Sequence, residues 1–91
     1  MSHYDDSNND VKNMFANVIL QIRLEKGLSQ LQAAQLSGLS LKKWISIENG
    51  EQWPQLHIMN NICKALNISQ KEFSYRLALS INSFCEQNPL P

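Results

Sequence analysis

Residues 27–50 read Gly27-Leu28-Ser29-Gln30-Leu31-Gln32-Ala33-Ala34-Gln35-Leu36-Ser37-Gly38-Leu39-Ser40-Leu41-Lys42-Lys43-Trp44-Ile45-Ser46-Ile47-Glu48-Asn49-Gly50. The stretch contains two short helical patterns and one tight turn. Ser29 with Gln32 three residues on forms a capping box, which starts a helix of about Gln30 to Ser37. Ala33, Ala34 and Ser37 are small, so a neighbouring helix can approach closely. Gly38 suits a turn that needs positive φ. Ser40 caps the next helix, about Leu41 to Asn49. Trp44 and Ile47 share a face that points inward, and Leu41, Lys42, Lys43, Ile45 and Ser46 lie on or beside the opposite face. Asn49-Gly50 stops this helix, and Trp53-Pro54 reinforces the break.

Apolar periodicity continues on both sides. Upstream, Asp10 can cap a helix from about Val11 to Lys26, in which Met14, Phe15, Val18, Ile19 and Ile22 fall on one face before Gly27 ends it. Downstream, a helix of about Gln55 to Leu66 carries the stripe Leu56, Met59, Ile62, Cys63 and Leu66. Ser69 with Glu72 opens a last helix, in which Phe73, Leu77, Ile81 and Phe84 recur to about Cys85. No run alternates as a strand would. The expectation is an all-α domain of five helices over residues 11–86. The two-helix unit lies at about 29–49 and an extended C-terminal helix at about 70–85. A flexible acidic leader (1–10) precedes the domain and a Pro-containing tail (87–91) follows it.

Composition narrows the function classes. The chain has 91 residues, 43% of them apolar, with three Gly and three Pro, which suits one domain around one small core. Its formal net charge is zero. The distribution is uneven, because residues 12–76 hold eight bases against four acids, a net of +4. No apolar run is long enough to cross a membrane, and Met1 to Asp10 lacks the basic and apolar regions of a secretory signal, so a cytoplasmic protein is expected. Cys63 and Cys85 have no CxxC spacing and are expected to be free thiols. His3 and His57 complete no zinc or triad pattern, and no glycine-rich phosphate loop is present, so no metal, cofactor or enzymatic activity is expected.

Two short helices about a glycine turn are the layout of a helix-turn-helix, a unit that sets its second helix into the DNA major groove. Double-stranded DNA is therefore the expected partner. Lys42 and Lys43 can reach guanine or phosphate, or can be two solvated lysines. Leu41 and Ile45 can meet thymine methyls, form a protein-binding patch, or be scattered surface apolar residues. Ser46 can donate to a base or a phosphate. Gln30 has two hydrogen-bonding ends with which to bridge a phosphate and a neighbour. The last helix is longer than a small core needs. Phe73 and Leu77 can finish the core, Ile81 and Phe84 then lack a place to bury, and Tyr75 and Leu79 add a second apolar edge. Leu77, Ile81 and Phe84 are expected at a homodimer interface, the alternative being intramolecular cover.

Arg23, Gly27-Leu28-Ser29-Gln30, Ala34, Gly38-Leu39-Ser40, Trp44, Ile47-Glu48-Asn49-Gly50, Pro54, Ile62, Lys64-Ala65-Leu66 and Ser69 together resemble the Cro and phage-repressor helix-turn-helix family, also called the xenobiotic-response-element family. The resemblance spans about residues 14–75. It implies a lambda-repressor-like DNA-binding fold and a dimeric repressor on a palindromic operator. It places Gln30 as a brace for the DNA backbone, Ser40, Leu41, Lys42, Lys43, Ile45 and Ser46 at the start and outer face of the groove-facing helix, and Asn49 at a phosphate. It also implies a structural ion pair between Arg23 and Glu48.

The chain departs from that pattern at several positions. Leu41 stands where polar residues are usual, and Ile45 occupies an outer position that is usually polar. Glu51 stands where Lys or Arg is common. Ala33 replaces a larger apolar residue, with the bulk of Trp44 available to offset it. These departures and the zero net charge keep a second function open: an antitoxin, which would hold a toxin, or a protein-interaction adaptor on the same fold.

Overall fold

The computed structural model describes residues 3–87, and side chains over residues 11–83. Among the described residues there are five helices and no strand: α1 His3–Glu25, α2 Gln30–Ser37, α3 Leu41–Glu48, α4 Leu56–Ala65 and α5 Gln70–Gln87. None is long and apolar enough to cross a membrane.

The middle boundaries follow local capping chemistry. At α2 the capping box is complete: Ser29 Oγ accepts from the Gln32 N–H at 3.0 Å, and Gln32 Oε1 accepts from the Ser29 N–H at 2.8 Å. Gly38 ends α2 in the left-handed conformation at φ 72°, with its N–H turned back onto the Ala34 and Gln35 carbonyls. Ser40 Oγ accepts from the Lys43 N–H at 3.1 Å and so begins α3. Asn49 caps the C-terminus of α3, and Gly50 follows at φ 77°. At α5 the box is half formed. Ser69 Oγ accepts from the Glu72 N–H, but the Glu72 carboxylate turns to Arg76 instead of the Ser69 backbone.

Two sequence expectations change. Helix α1 begins at His3, so Asp10 lies within it and does not cap it, and residues 3–10 of the expected leader belong to the helix. Residues 3–25 contain neither Gly nor Pro, so nothing upstream of Asp10 interrupts the backbone ladder. Leu56, expected on the buried stripe of α4, is 84% exposed. It is the first residue of that helix, and the arriving loop covers the nearby core with Trp53, whose ring meets Phe15 edge-on at 5.5 Å.

The core gathers residues from every helix. Phe15, Val18, Ile19 and Ile22 of α1 meet Ala33 and Ala34 of α2, Trp44 and Ile47 of α3, Ile62 and Cys63 of α4 with Leu66 at its cap, and Phe73 of α5. Helix α1 packs on α3 and α5, while α2 packs on α3 and α4. The fully buried methyls of Ala33 and Ala34 permit the close approach of α2, and the fully buried Trp44 fills the adjacent space. Phe15 and Phe73 stack edge-on at 5.3 Å, which joins the first helix to the last. The result is a closely packed frame from which one side of α3 faces outward.

Candidate nucleic-acid interface

Helix α3 is held from behind by a buried polar cluster. Arg23 Nε donates to Glu48 Oε2 at 2.7 Å, and Arg23 Nη2 donates to Glu48 Oε1 at 3.0 Å, a bidentate pair between the last turn of α1 and the end of α3. Arg23 Nη1 also donates to the Leu28 carbonyl at 2.8 Å, which fixes the α1–α2 connection. Trp44 Nε1 donates to Glu48 Oε2 at 2.9 Å, and Gln30 Nε2 donates to Glu48 Oε1 at 2.7 Å. Burial alone would raise the Glu48 carboxyl. The hydrogen bonds from Arg23, Gln30 and Trp44 and the charge of Arg23 outweigh it and hold the group below its ordinary pKa. No buried side-chain polar atom among the described residues lacks a partner. The pair implied by the family resemblance is thus the centre of a four-residue cluster, and Gln30 at the start of α2 is fastened to it. The second amide hydrogen of Gln30 is left for a ligand.

The opposite side of α3 is open. Leu41 and Lys42 are exposed at its first turn, Lys43, Ile45 and Ser46 are half-buried, and Ser40 and Asn49 are exposed at its two ends. Ser40 uses its oxygen as the helix cap and keeps its hydroxyl hydrogen free. The expected exposed pair of apolar residues is reduced to Leu41, 39% exposed, because Ile45 is half-buried. Lys43 Nζ donates to Gln52 Oε1 at 2.8 Å, so its side chain runs along the helix to the following loop. Ser40, Lys42, Lys43, Ser46 and Gln52 line a shallow open depression of about 270 Å³. Cationic and hydroxyl groups around an open dent on a helix of this length suit an anionic, ridged surface such as a DNA groove.

Two participants were not read from the sequence. Gln52 lies beyond the Asn49-Gly50 stop, and no periodicity or motif links it to Lys43. The bond from Trp44 to Glu48 had a usable signal, because a buried indole N–H needs an acceptor and Glu48 is one helical turn away.

The expected dimer residues separate. Leu77, half-buried, packs against the chain's own core, as its spacing from Phe73 suggested, and so does not lie on the exposed face. Ile81 is half-buried, and the side chain of Phe84 lies outside the described residues. The apolar residues that α5 exposes are Tyr75, at 62%, and Leu79, at 48%. They border an open groove of about 700 Å³ against α1. At its rim Arg76 pairs with Glu25 at 2.8 Å and with Glu72 at 3.3 Å. Elsewhere, no group of three His, Cys, Asp or Glu among the described residues is placed to hold a metal ion.

A family model described as Helix-turn-helix matches residues 19–73. Among solved structures, the wild-type restriction-modification controller protein C.Esp1396I is similar with a TM-score of 0.77 at 29% sequence identity, over 80% of this chain and 95% of that one. The clp gene regulator ClgR from Corynebacterium glutamicum is similar with a TM-score of 0.79 at 19% identity, over 86% of this chain and 83% of that one, a likeness of fold alone. A sequence comparison with curated proteins gives no match.

Proposed function

This chain belongs to the Cro and phage-repressor helix-turn-helix family, a family of DNA-binding transcription regulators, and from that premise we propose that it is a homodimeric repressor acting on a palindromic operator. One observation carries the reading: α3 presents Leu41, Lys42, Lys43 and Ser46 outward while Arg23, Gln30, Trp44 and Glu48 lock its inner side. A helix inserted into a groove must keep its angle against the frame, and the buried cluster supplies that constraint. Lys42 and Lys43 contribute charge, Gln30 and Asn49 reach phosphates from either side, and Leu41 meets a thymine methyl. The modest basic surplus of residues 12–76 predicts moderate, salt-sensitive affinity for one copy. Two copies related by a two-fold axis would place their α3 helices about 34 Å apart, one turn of DNA. Repression is steric, with the dimer occupying the polymerase's site.

The test is a fluorescence-anisotropy titration with a duplex enriched from a random-sequence pool by the wild-type protein, set against a scrambled duplex at several salt concentrations. Tight, selective binding is expected in the wild type, and its loss in Lys42→Ala with Lys43→Ala, with no change in melting temperature. Equal binding of both duplexes by the wild type would refute the reading. It would favour the second one, an antitoxin or adaptor, for which Leu31 and Leu36, half or more exposed on α2, supply an apolar surface.

A further inference from the structure

The bond between Lys43 and Gln52 divides the labour between the two adjacent lysines of α3. Lys42 is exposed and has no hydrogen-bond partner among the described residues. Lys43 is half-buried, and its ammonium is held 2.8 Å from Gln52 Oε1, nine residues further along the chain. We propose that Gln52 is a positioning residue that turns Lys43 into a preset anchor for a DNA backbone phosphate, leaving Lys42 to reach base edges. The proposal rests on the DNA-binding reading above.

Three features support it. The first is the partner's chemistry. A neutral amide oxygen fixes an ammonium without cancelling its charge, although a carboxylate, Glu51, is the adjacent residue. An ammonium has three donors, so two remain for a ligand. The second is direction. The side chain of Lys43 is drawn off the first turn of α3 towards the loop after Gly50, at the margin of the helix's outer face. When a helix lies in a groove, its margin faces the sugar-phosphate wall and its centre faces the bases. The third is entropy. A lysine that is ordered before binding has already lost the rotamer freedom that a free lysine loses on contact. The shallow depression between Ser40, Lys42, Lys43, Ser46 and Gln52 leaves space for the phosphate.

The test measures Kd for the selected and scrambled duplexes, each as a function of salt. Gln52→Ala is expected to weaken both by the same factor, about 2- to 10-fold, with the selectivity ratio and melting temperature unchanged. Lys43→Ala is expected to lower the slope of log K against log salt by about one. Gln52→Ala added to Lys43→Ala is expected to have no further effect, because the group that Gln52 holds is gone. Lys42→Ala is expected to reduce the selectivity ratio. The inference is overturned if Gln52→Ala leaves both affinities unchanged, if it changes the ratio, or if it costs as much in the Lys43→Ala background. A wild-type chain that fails to distinguish the duplexes overturns the DNA-binding reading as well, whereas a discriminating wild type with an inert Gln52→Ala overturns the inference alone.

Discussion

At the scale of single residues, Glu48 bears the largest electrostatic consequence. It accepts from Arg23, Gln30 and Trp44 in a site that is almost closed to water. Removing one member of a buried pair strands the other, at about 3–5 kcal/mol. Glu48→Ala is expected to destabilise by that order in urea melts, and Arg23→Met with Glu48→Met by less than the sum of the two single changes. The carboxyl is held below its ordinary value, so it stabilises the fold fully above the unfolded-state pKa of about 4.3. That contribution is lost as pH falls through the lower folded-state value, and acid titration of Glu48→Gln is expected to lack this component. A wild type and Glu48→Gln with parallel stability profiles below pH 5 would contradict the assignment. The Arg23–Glu48 pair followed from family resemblance. The indole donor could have been derived, since burying Trp44 demands an acceptor. Gln52 could not, because its bond to Lys43 depends on the path of an irregular loop.

At the scale of elements, the ends of α2, α3 and α4 fell within a residue of their sequence expectations, those of α2 and α3 because Ser29, Gly38, Ser40 and Asn49 act through local hydrogen bonds. The start of α1 did not, because Asp10 is an acceptable cap in an uninterrupted helix. Leu56 did not either, because periodicity gives a side chain's direction and says nothing of where the core ends. Gly50 is the element-scale feature most open to test. It has φ 77°, and the position a Cβ would occupy is already taken by the side-chain oxygen of Asn13 on α1. Gly38, at φ 72°, has open space there. Gly38→Ala is therefore expected to cost about 1–2 kcal/mol for the backbone alone, and Gly50→Ala more. Asn13→Ala in the Gly50→Ala background is expected to recover the excess, as read from thermal or urea melts. Equal costs at the two glycines would show that Asn13 yields freely.

At the scale of the whole molecule, the five-helix arrangement was legible from caps and apolar spacing together, but the orientation of the last helix was only partly so. Phe73 and Leu77 close the core, and the exposed apolar edge is Tyr75 and Leu79, the second edge read from the sequence and not the Ile81–Phe84 stripe expected at the interface. Sequence spacing defines a face of α5, whereas the packing of α1 decides which face remains uncovered. For the proposed homodimer, Tyr75→Asp with Leu79→Asp is expected to give a monomer by light scattering. It is also expected to weaken binding to a two-half-site duplex far more than to a single half-site. An unchanged dimer mass would move the interface elsewhere.

On α3, Trp44, Ile47 and Glu48 are buried against the frame, Leu41 and Lys42 are exposed, and Lys43, Ile45 and Ser46 lie half-buried between the two sides. Changes at the exposed Leu41 and Lys42 therefore leave the packing intact, and their effects on stability should be small. A lineage carrying this frame can try new target sequences through surface substitutions while the interior stays as it is. The same separation makes the chain a scaffold for engineering, in which a library over positions 41 and 42 explores recognition with few variants lost to misfolding.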